Sequence, residues 1–371
     1  MGKSRTFEGD PIRSSLSQHI RVIARRAGLD VVGFSRAKPY SETAQVIEER
    51  KKAGLFGKLG FTTREPWISC DPAASLRGVR SIITCGLYYY CDPPPKPFST
   101  AARIASYARR DFYTELRKGL EAVAVALRER GFEAVVMADS NRLTDRPPAV
   151  EAGLGRYGKN SMVITHTHGS WVLLGSVLTT AELPEGSPSK PDCGPCRACM
   201  VRCPTGAIVA EGVIDARRCI AYLLQASGPI PEEFRGAVGD RLYGCDDCQS
   251  CCPLNKETSM QDDSAKHQHV RALSEESVQA ATYEDFWVDA RWVLRASTQV
   301  LKERFGHFYV PRRDFDYLRR NALVVLGNCG GQGDLKAVEA FKGSPKRLLR
   351  EHAEWAVRQI RRRLSQAHVV S

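Results

Sequence analysis

Cys193-Gly194-Pro195-Cys196-Arg197-Ala198-Cys199-Met200-Val201-Arg202-Cys203-Pro204 is the stretch around which the chain is organised. Its spacing, C-x2-C-x2-C-x3-C-P, matches the bacterial-ferredoxin run position for position; there three thiolates wrap one cubane and the fourth reaches a second. A second group, Cys245, Cys248, Cys251 and Cys252 followed by Pro253, supplies the partner, so two [4Fe–4S] clusters are expected. C-x2-C pairs also bind structural zinc, but the complete four-cysteine run with its proline favours iron–sulfur. The second group is irregular, because a standard repeat would put its last cysteine where Asn255 stands. Either Cys251 or a remote cysteine completes the set, and Cys219, in Asp215-Ala216-Arg217-Arg218-Cys219-Ile220, is the remote candidate. The assignment adopted puts Cys193, Cys196, Cys199 and Cys252 around one cluster. Cys203, Cys219, Cys245 and Cys248 surround the other, and Cys251 packs beside the site.

Working outward, the 371-residue chain carries 13 cysteines, nine of them between Cys193 and Cys252. A disulfide scaffold would spread them over a much shorter secreted chain, so a reducing cytoplasm is expected. Cys70, Cys85, Cys91 and Cys329 lack ligand spacing and read as buried small hydrophobes. A composition of 43% hydrophobic and 26% charged residues excludes disorder as the main state. No eighteen-residue apolar run occurs and the N-terminus has no apolar signal core, so neither export nor a membrane span is expected. The net charge of +12 favours a polyanionic partner such as nucleic acid or an acidic redox protein.

Before the cysteines, apolar periodicity predicts a helix from Pro11 to about Gly28, a strand over Asp30–Phe34 and a strand over Ser81–Leu87. A helix over Tyr113–Arg130, a strand over Ala134–Met137 and a buried strand pair between Val163 and Thr180 follow. Asp92-Pro93-Pro94-Pro95-Lys96-Pro97 is a rigid loop, since proline gives no ladder donor. Glu185–Pro191 reads as a linker. After a polar stretch over Lys256–His269 the chain becomes helical. Arg320–Asn328 and Arg350–Ile360 put Ala and aliphatic residues on one face at a spacing of roughly thirty, as in a HEAT-like helical pair.

A conduit of two clusters needs a destination, yet the first half shows neither a dinucleotide fingerprint nor a Walker A loop. Asp139-Ser140 with Asp145-Arg146, Ala152-Gly153-Leu154-Gly155-Arg156-Tyr157-Gly158-Lys159-Asn160, Gly169-Ser170-Trp171-Val172-Leu173-Leu174-Gly175, the cysteine run, the Arg218-Cys219-Ile220 segment and Leu242–Gln249 appear in this order. Together they resemble the epoxyqueuosine reductase family over most of the chain.

The resemblance implies an α+β protein in three parts. These are a nitroreductase-like cobalamin-binding catalytic domain (1–185), a ferredoxin-like dicluster domain (186–260) and a C-terminal HEAT-like helical domain (261–371). It implies reduction of epoxyqueuosine to queuosine at the anticodon wobble position of tRNA, with electrons from an external low-potential donor passing through the clusters to cobalamin. Asp139 matches the family's proton donor, a role that would call for burial to raise its pKa. Lys159, Asn160, Val163, Leu174, Asp246 and Asp247 are placed toward the corrinoid. No histidine ligand to cobalt is implied, so His166 and His168 read as surface residues. The tRNA anticodon arm is the expected partner and the protein is expected to be monomeric. Arg312, Arg313, Arg319, Arg320, Lys346, Arg347 and Arg361–Arg363 are candidates for the phosphate surface.

The chain departs from the family in three places. Ser69-Cys70 stands where members commonly have an arginine before the Asp71-Pro72 pair. Phe112-Tyr113 replaces an aromatic–histidine pair after Asp111, and Asn141-Arg142-Leu143 replaces a small turn. Two other readings use the same clusters. A corrinoid reductase of the dehalogenase type usually carries an export signal, which this N-terminus lacks. A non-catalytic dicluster electron carrier leaves nearly two hundred preceding residues unexplained.

Overall fold

The computed structural model describes residues 11–188, 193–255 and 283–369. The polar stretch expected over 256–269, and the rest of 256–282, lie outside them. The fold is mixed α and β. Its strands, in chain order, are β1 (Val31–Arg36), β2 (Ser81–Tyr88), β3 (Ala101–Ile104), β4 (Ala134–Met137), β5 (Gly155–Tyr157), β6 (Val163–Thr165), β7 (Val172–Thr179), β8 (Ile208–Ala210), β9 (Val213–Ile214), β10 (Arg241–Tyr243) and β11 (Trp287–Asp289).

The main sheet runs β1-β2-β7-β4 with every pair antiparallel, and β2 and β7 are matched from Ser81↔Thr179 to Tyr88↔Val172. Both central strands are buried nearly throughout, which is why their sequences are continuous apolar and small runs rather than alternating ones. The helices Pro11–Arg26 and Phe112–Arg128 cover one face, bringing Ile20, Ala24, Leu116, Leu120 and Leu127 against Phe34, Ile83, Cys85 and Val177. Leu120 packs so closely on β7 that a Cβ at Gly175 would lie 2.6 Å from its Cδ1. Tyr40, Cys70, Leu76, Ile82, Met137, Leu143 and Leu178 form a second core.

Cys70 and Cys85 are core residues as expected, whereas Cys91 and Cys329 are only half-buried. Lys96 Nζ lies 3.8 Å from Cys329 Sγ. The expected linker is not a loose tether at its start. The Gly186 N–H donates to Phe34 O at 2.8 Å and the segment packs against the Ala152-Gly153 turn.

A second sheet joins the three stretches of chain. β3, from the first half, lies between β10, parallel to it, and β11, antiparallel to it. The largest core follows this sheet: Ala102 and Ile104 pack with Ile220, Leu224 and Leu242 and with Val288, Phe305 and Leu323. Helices Asp316–Cys329 and Arg347–Val369 contain the two segments expected to be helical, and they supply Leu323–Leu326, Trp355, Ala356 and Ile360 to that core.

Arg320 corrects the expected phosphate surface. It is 1% exposed and donates to the carbonyls of Leu223, Leu224, Ala226 and Gly228 at 2.6–3.1 Å. It therefore satisfies carbonyls at the C-terminal end of helix Ile220–Gln225, which lack intrahelical partners. Burial lowers its pKa to about 9. Arg319 is tied to Asp316 and Ala296 O, Lys346 to Asp314 and Asp316, Arg361 to Glu339, and Arg363 to the carbonyls of Gly327 and Gly330.

Candidate functional site: a dicluster module and the Asp139 loop

The cysteines come from short local elements. Cys193 and Cys196 lie on the entry loop and Cys199 on helix Ala198–Arg202, with Cys203 at that helix's C-terminal end. Cys219 is the N-cap of helix Ile220–Gln225, Cys245 follows β10, and Cys248 lies on helix Asp247–Ser250. Two electrostatic neighbourhoods result. Cys199 and Cys252 sense Cys193, and Cys252 also senses Cys196. Cys248 senses Cys245, Cys219 and Cys203, although it also senses Cys199. Cys251 is close to Cys199 and Cys252, so it lies at the edge of the first group.

Burial, with Cys251, Cys252 and Cys193 adding, pushes the Cys199 thiol up to about 11, and burial, with Asp247 and then Cys219 adding, pushes Cys245 up to about 12. Iron removes that penalty by binding the thiolates. The Ala207 N–H donates to Cys203 Sγ at 3.2 Å, and the N–H groups of Ala221 and Tyr222 favour the Cys219 thiolate. Among the described residues no three His, Cys, Asp or Glu side chains are gathered to hold a single metal ion.

The position that breaks the cysteine repeat has its own task. Asn255 is 3% exposed and fixes the module to the first domain. Its Oδ1 accepts the Ser170 N–H at 2.8 Å, and its Nδ2 donates to Ser170 Oγ at 2.9 Å and Gln249 O at 2.8 Å. Gln249 adds bonds from Nε2 to Ser170 O and Tyr89 Oη. Gly169, at φ +55°, makes room for this contact, since a Cβ there would lie 2.2 Å from Asn255 Oδ1.

The residues placed toward the corrinoid meet different surroundings. Lys159 Nζ donates to Gly194 O at 2.8 Å and pairs with Glu211 at 2.7 Å, while Asn160 Nδ2 donates to Cys248 O at 3.1 Å. Both tie the segment after β5 to the cysteine module. Val163 is buried on β6 and Leu174 is the half-buried position of β7. Asp247 pairs with Arg241 at 2.5 Å and with Arg103 at 3.7 Å. Asp246 has different partners: its Oδ2 accepts the Ser106 N–H at 2.7 Å, and its Oδ1 is sealed from solvent without a partner. Burial raises the Asp246 pKa, with the Ser106 N–H opposing. His166 is exposed and His168 half-buried against Tyr88, their ring centroids 5.0 Å apart.

Asp139 follows the four-residue strand β4 directly but for Ala138, on a turn where it takes φ +50°. It is exposed, so the burial expected for it is absent. A carboxylate at the tip of a short turn projects beyond the sheet that could bury it. It lines an open crevice of about 600 Å³ with Arg117, Lys118, Glu121 and Ser140. Burial acts on Asp145 instead, six residues on, and pushes its pKa up to about 7, with Arg146 opposing and Asp139 adding. Asp145 Oδ1 has no partner. Tyr113, which stands at one of the departures from the family, senses both carboxylates and is itself pushed up by burial first. Sequence reasoning does not single out Asp145 or Tyr113 as site residues. Its only signals are that Asp145 belongs to the quoted motif and that Tyr113 breaks another.

The family model described as "Epoxyqueuosine reductase QueG, DUF1730" matches residues 70–140, and "4Fe-4S double cluster binding domain" matches residues 192–255. The epoxyqueuosine reductase of Vibrio cholerae is 32% identical over 93% of this chain and 92% of its own. A crystal structure of epoxyqueuosine reductase with a tRNA-Tyr epoxyqueuosine-modified stem loop matches with a TM-score of 0.82 at 28% identity, covering 94% of this chain and 90% of that one. The Bacillus subtilis epoxyqueuosine reductase, in a structure with its catalytic aspartate loop swung out of the active site, gives 0.82 at 28% identity over 94% and 91%.

Proposed function

The chain belongs to the epoxyqueuosine reductase family, and on that premise we propose that it reduces epoxyqueuosine to queuosine in the wobble position of tRNA, with Asp139 as proton donor. The overall change consumes two electrons and two protons: the epoxide oxygen leaves as water and the cyclopentene remains. The observation that carries this reading is the juxtaposition of an eight-cysteine double-cluster module with a first domain whose motif aspartate stands on an exposed loop. The loop position suits a donor that closes on a macromolecular substrate, and the swung-out loop of the Bacillus subtilis relative supports such movement.

Cys193, Cys196, Cys199 and Cys252 are proposed as ligands of one [4Fe–4S] cluster, and Cys203, Cys219, Cys245 and Cys248 as ligands of the other. The electrostatic grouping of the thiols supports this division.

Cobalamin is the group the family resemblance implies, and when bound it supplies nucleophilic or one-electron reduction chemistry at cobalt. The residues fit it in one respect: the Oδ1 atoms of Asp145 and Asp246 are buried acceptors without donors, and the corrin periphery carries amide N–H groups. Asp246, Leu174 and the backbone near Val163 are proposed to line it. Lys159, Asn160 and Asp247 act by holding the cluster module in register with the first domain. The carboxyl of Asp139 delivers the proton to the departing oxygen.

The division into a catalytic domain (1–185), a dicluster domain (186–260) and a HEAT-like helical domain (261–371) is retained as the functional plan. In it a monomer in the cytoplasm takes electrons from an external low-potential donor and binds the anticodon arm through its basic surface. No helix among the described residues is long and apolar enough to cross a membrane.

The test is turnover of epoxyqueuosine-containing tRNA by the cobalamin-supplemented protein, read by mass spectrometry of the nucleosides. Asp139→Ala is expected to lose between about a hundred- and ten-thousand-fold in rate while retaining its iron. Full turnover by this variant with intact clusters overturns the assignment of Asp139.

A further inference from the structure

Two large aromatic side chains from distant parts of the chain meet at the surface instead of in a core. Phe61, on the Phe61–Thr63 turn, is 43% exposed and Tyr309 is 42% exposed. Their rings meet edge to face, with centroids 5.1 Å apart and planes at 73°. Neither position is accidental in its support. The loop before Phe61 is fixed to the cluster module, where the Ala216 N–H donates to Leu55 O at 2.7 Å and the Lys58 N–H to Tyr222 Oη at 2.7 Å. Tyr309 is held by its carbonyl, which accepts the Tyr243 hydroxyl at 3.0 Å, and Tyr243 is buried and stacked on Phe308 at 4.0 Å.

Both sides of this pair lead to the Asp139 loop. The helix Pro66–Ser69 follows Phe61–Thr63, and Ser69 O accepts the Thr144 N–H at 2.8 Å, within the turn that carries Asp139 and Asp145. On the other side, Tyr243 is close enough to Asp139 and Tyr113 to sense both. The aromatic pair therefore stands at the rim of the proposed site.

Positive charge accompanies it. Arg312 and Arg313, three and four residues after Tyr309, are exposed and both adopt left-handed backbone, at φ +53° and +56°. Arg313 Nη1 is anchored to Gly306 O at 2.7 Å, and among the described residues Arg312 makes no hydrogen bond or ion pair. Arg319, Arg320 and Lys346 are consumed by internal bonds, so Arg312 is, among the described residues, a cation close to Tyr309 in the chain that remains available to a phosphate.

We propose that Phe61 and Tyr309, with Arg312 and Arg313 beside them, seat an unpaired nucleotide of the RNA loop adjacent to the one being reduced. The base lies against the exposed ring faces and its phosphates lie on the guanidinium groups. Aromatic faces hold unpaired bases without regard to sequence, while arginine supplies the backbone contact. A double helix offers no free base face, so the seat selects a loop over a stem. This inference rests on the tRNA reading of the preceding subsection.

Binding of a fluorescein-labelled anticodon stem-loop RNA to the cluster-loaded protein, followed by anisotropy, tests it against a fully paired RNA of equal length. Tyr309→Ala is expected to weaken stem-loop binding about tenfold and to leave duplex binding and the iron content unchanged. Arg312→Gln is expected to weaken both RNAs and to lower the salt slope by about one counterion. Turnover at saturating RNA is expected to stay near wild type for both, with the loss in KM. Unchanged stem-loop affinity in Tyr309→Ala overturns the proposal. So does a result in which these variants bind RNA normally but slow reduction of the clusters by an acidic flavoprotein donor, which would assign the rim to a protein partner. Failure of the wild-type protein itself to bind the stem loop overturns the tRNA reading and this inference with it.

Discussion

The cysteine module and the Asp139 loop, to which the proposed function assigns electron transfer and proton delivery, are built in opposite ways. The module is held from several sides: Asn255 and Gln249 bond to Ser170, Asn160 to Cys248 O, Lys159 to Gly194 O, and Arg320 to the carbonyls at the end of the helix that Cys219 caps. The Asp139 turn is open, its aspartate exposed and in left-handed backbone, while Asp145, six residues on, is half-buried with its Oδ1 sealed from solvent. Electron transfer needs fixed distances between centres. Proton delivery to a bulky RNA substrate needs a group that can be reached. The difference between the two regions therefore follows from what each must do.

The comparison can be broken most directly at the clusters. Cys219→Ala is expected to lose one of the two clusters and all turnover, while Cys251→Ala keeps both, as read by iron content and EPR of the reduced protein. Cluster loss in Cys251→Ala alone would reverse the ligand assignment and make the second cysteine group self-sufficient.

Next in size is the junction. Asn255→Ala leaves the buried Ser170 N–H without its partner, while Gln249 O keeps the Cys252 N–H at 3.0 Å, and is expected to cost about 1–3 kcal/mol of stability, measured by denaturant unfolding. Asn255→Cys restores the regular cysteine repeat but faces Ser170 rather than iron, so its iron content should equal that of wild type. A gain of iron would show that the position belongs to the cluster and not to the interface.

The smallest effect concerns the turn and sharpens what rigidity means there. Asp145 is held near 7 when folded against an ordinary value of 3.8. The folded state then keeps its proton where the unfolded state has lost it, so stability falls as pH rises from about 4 to 7 and levels off above. Asp30, buried and raised to about 6, adds the same sign. Asp145→Asn is expected to flatten its share of that slope and to melt higher than wild type at pH 8, with little change at pH 4. An unaltered slope would mean that the Asp145 carboxyl is not the group whose ionisation opposes folding.

Much of this architecture is legible in the amino-acid sequence alone. The strands at Ser81–Tyr88, Ala134–Met137 and Val172–Thr179 and the helix ending at Arg128 follow from hydrophobic periodicity, which reports burial through local spacing. β3 is not legible there: Ala101–Ile104 is a four-residue strand whose partners lie about 140 and 185 residues further on, and no local pattern encodes them. Arg320 reads as one more charge on a basic helix, since a guanidinium that caps another helix has the same sequence signature as one that faces water. The motif contains both Asp139 and Asp145 and does not distinguish the carboxyl that is sealed off from the one that is presented, because burial at a turn depends on what folds over it.

The amino-acid sequence is sufficient to read the redox chemistry, because iron ligation rests mainly on thiolates at short spacings that a local loop can satisfy. It also determined the strands of the main sheet and the family. Folding settles which charges are used internally and which are presented: Arg320 inside and Arg312 outside, Asp145 Oδ1 sealed off and Asp139 exposed, Asn255 a bolt at the position the regular repeat gives to a ligand. Burial is a property of neighbours brought together from distant parts of the chain, and hydrogen-bond satisfaction is settled only where they meet.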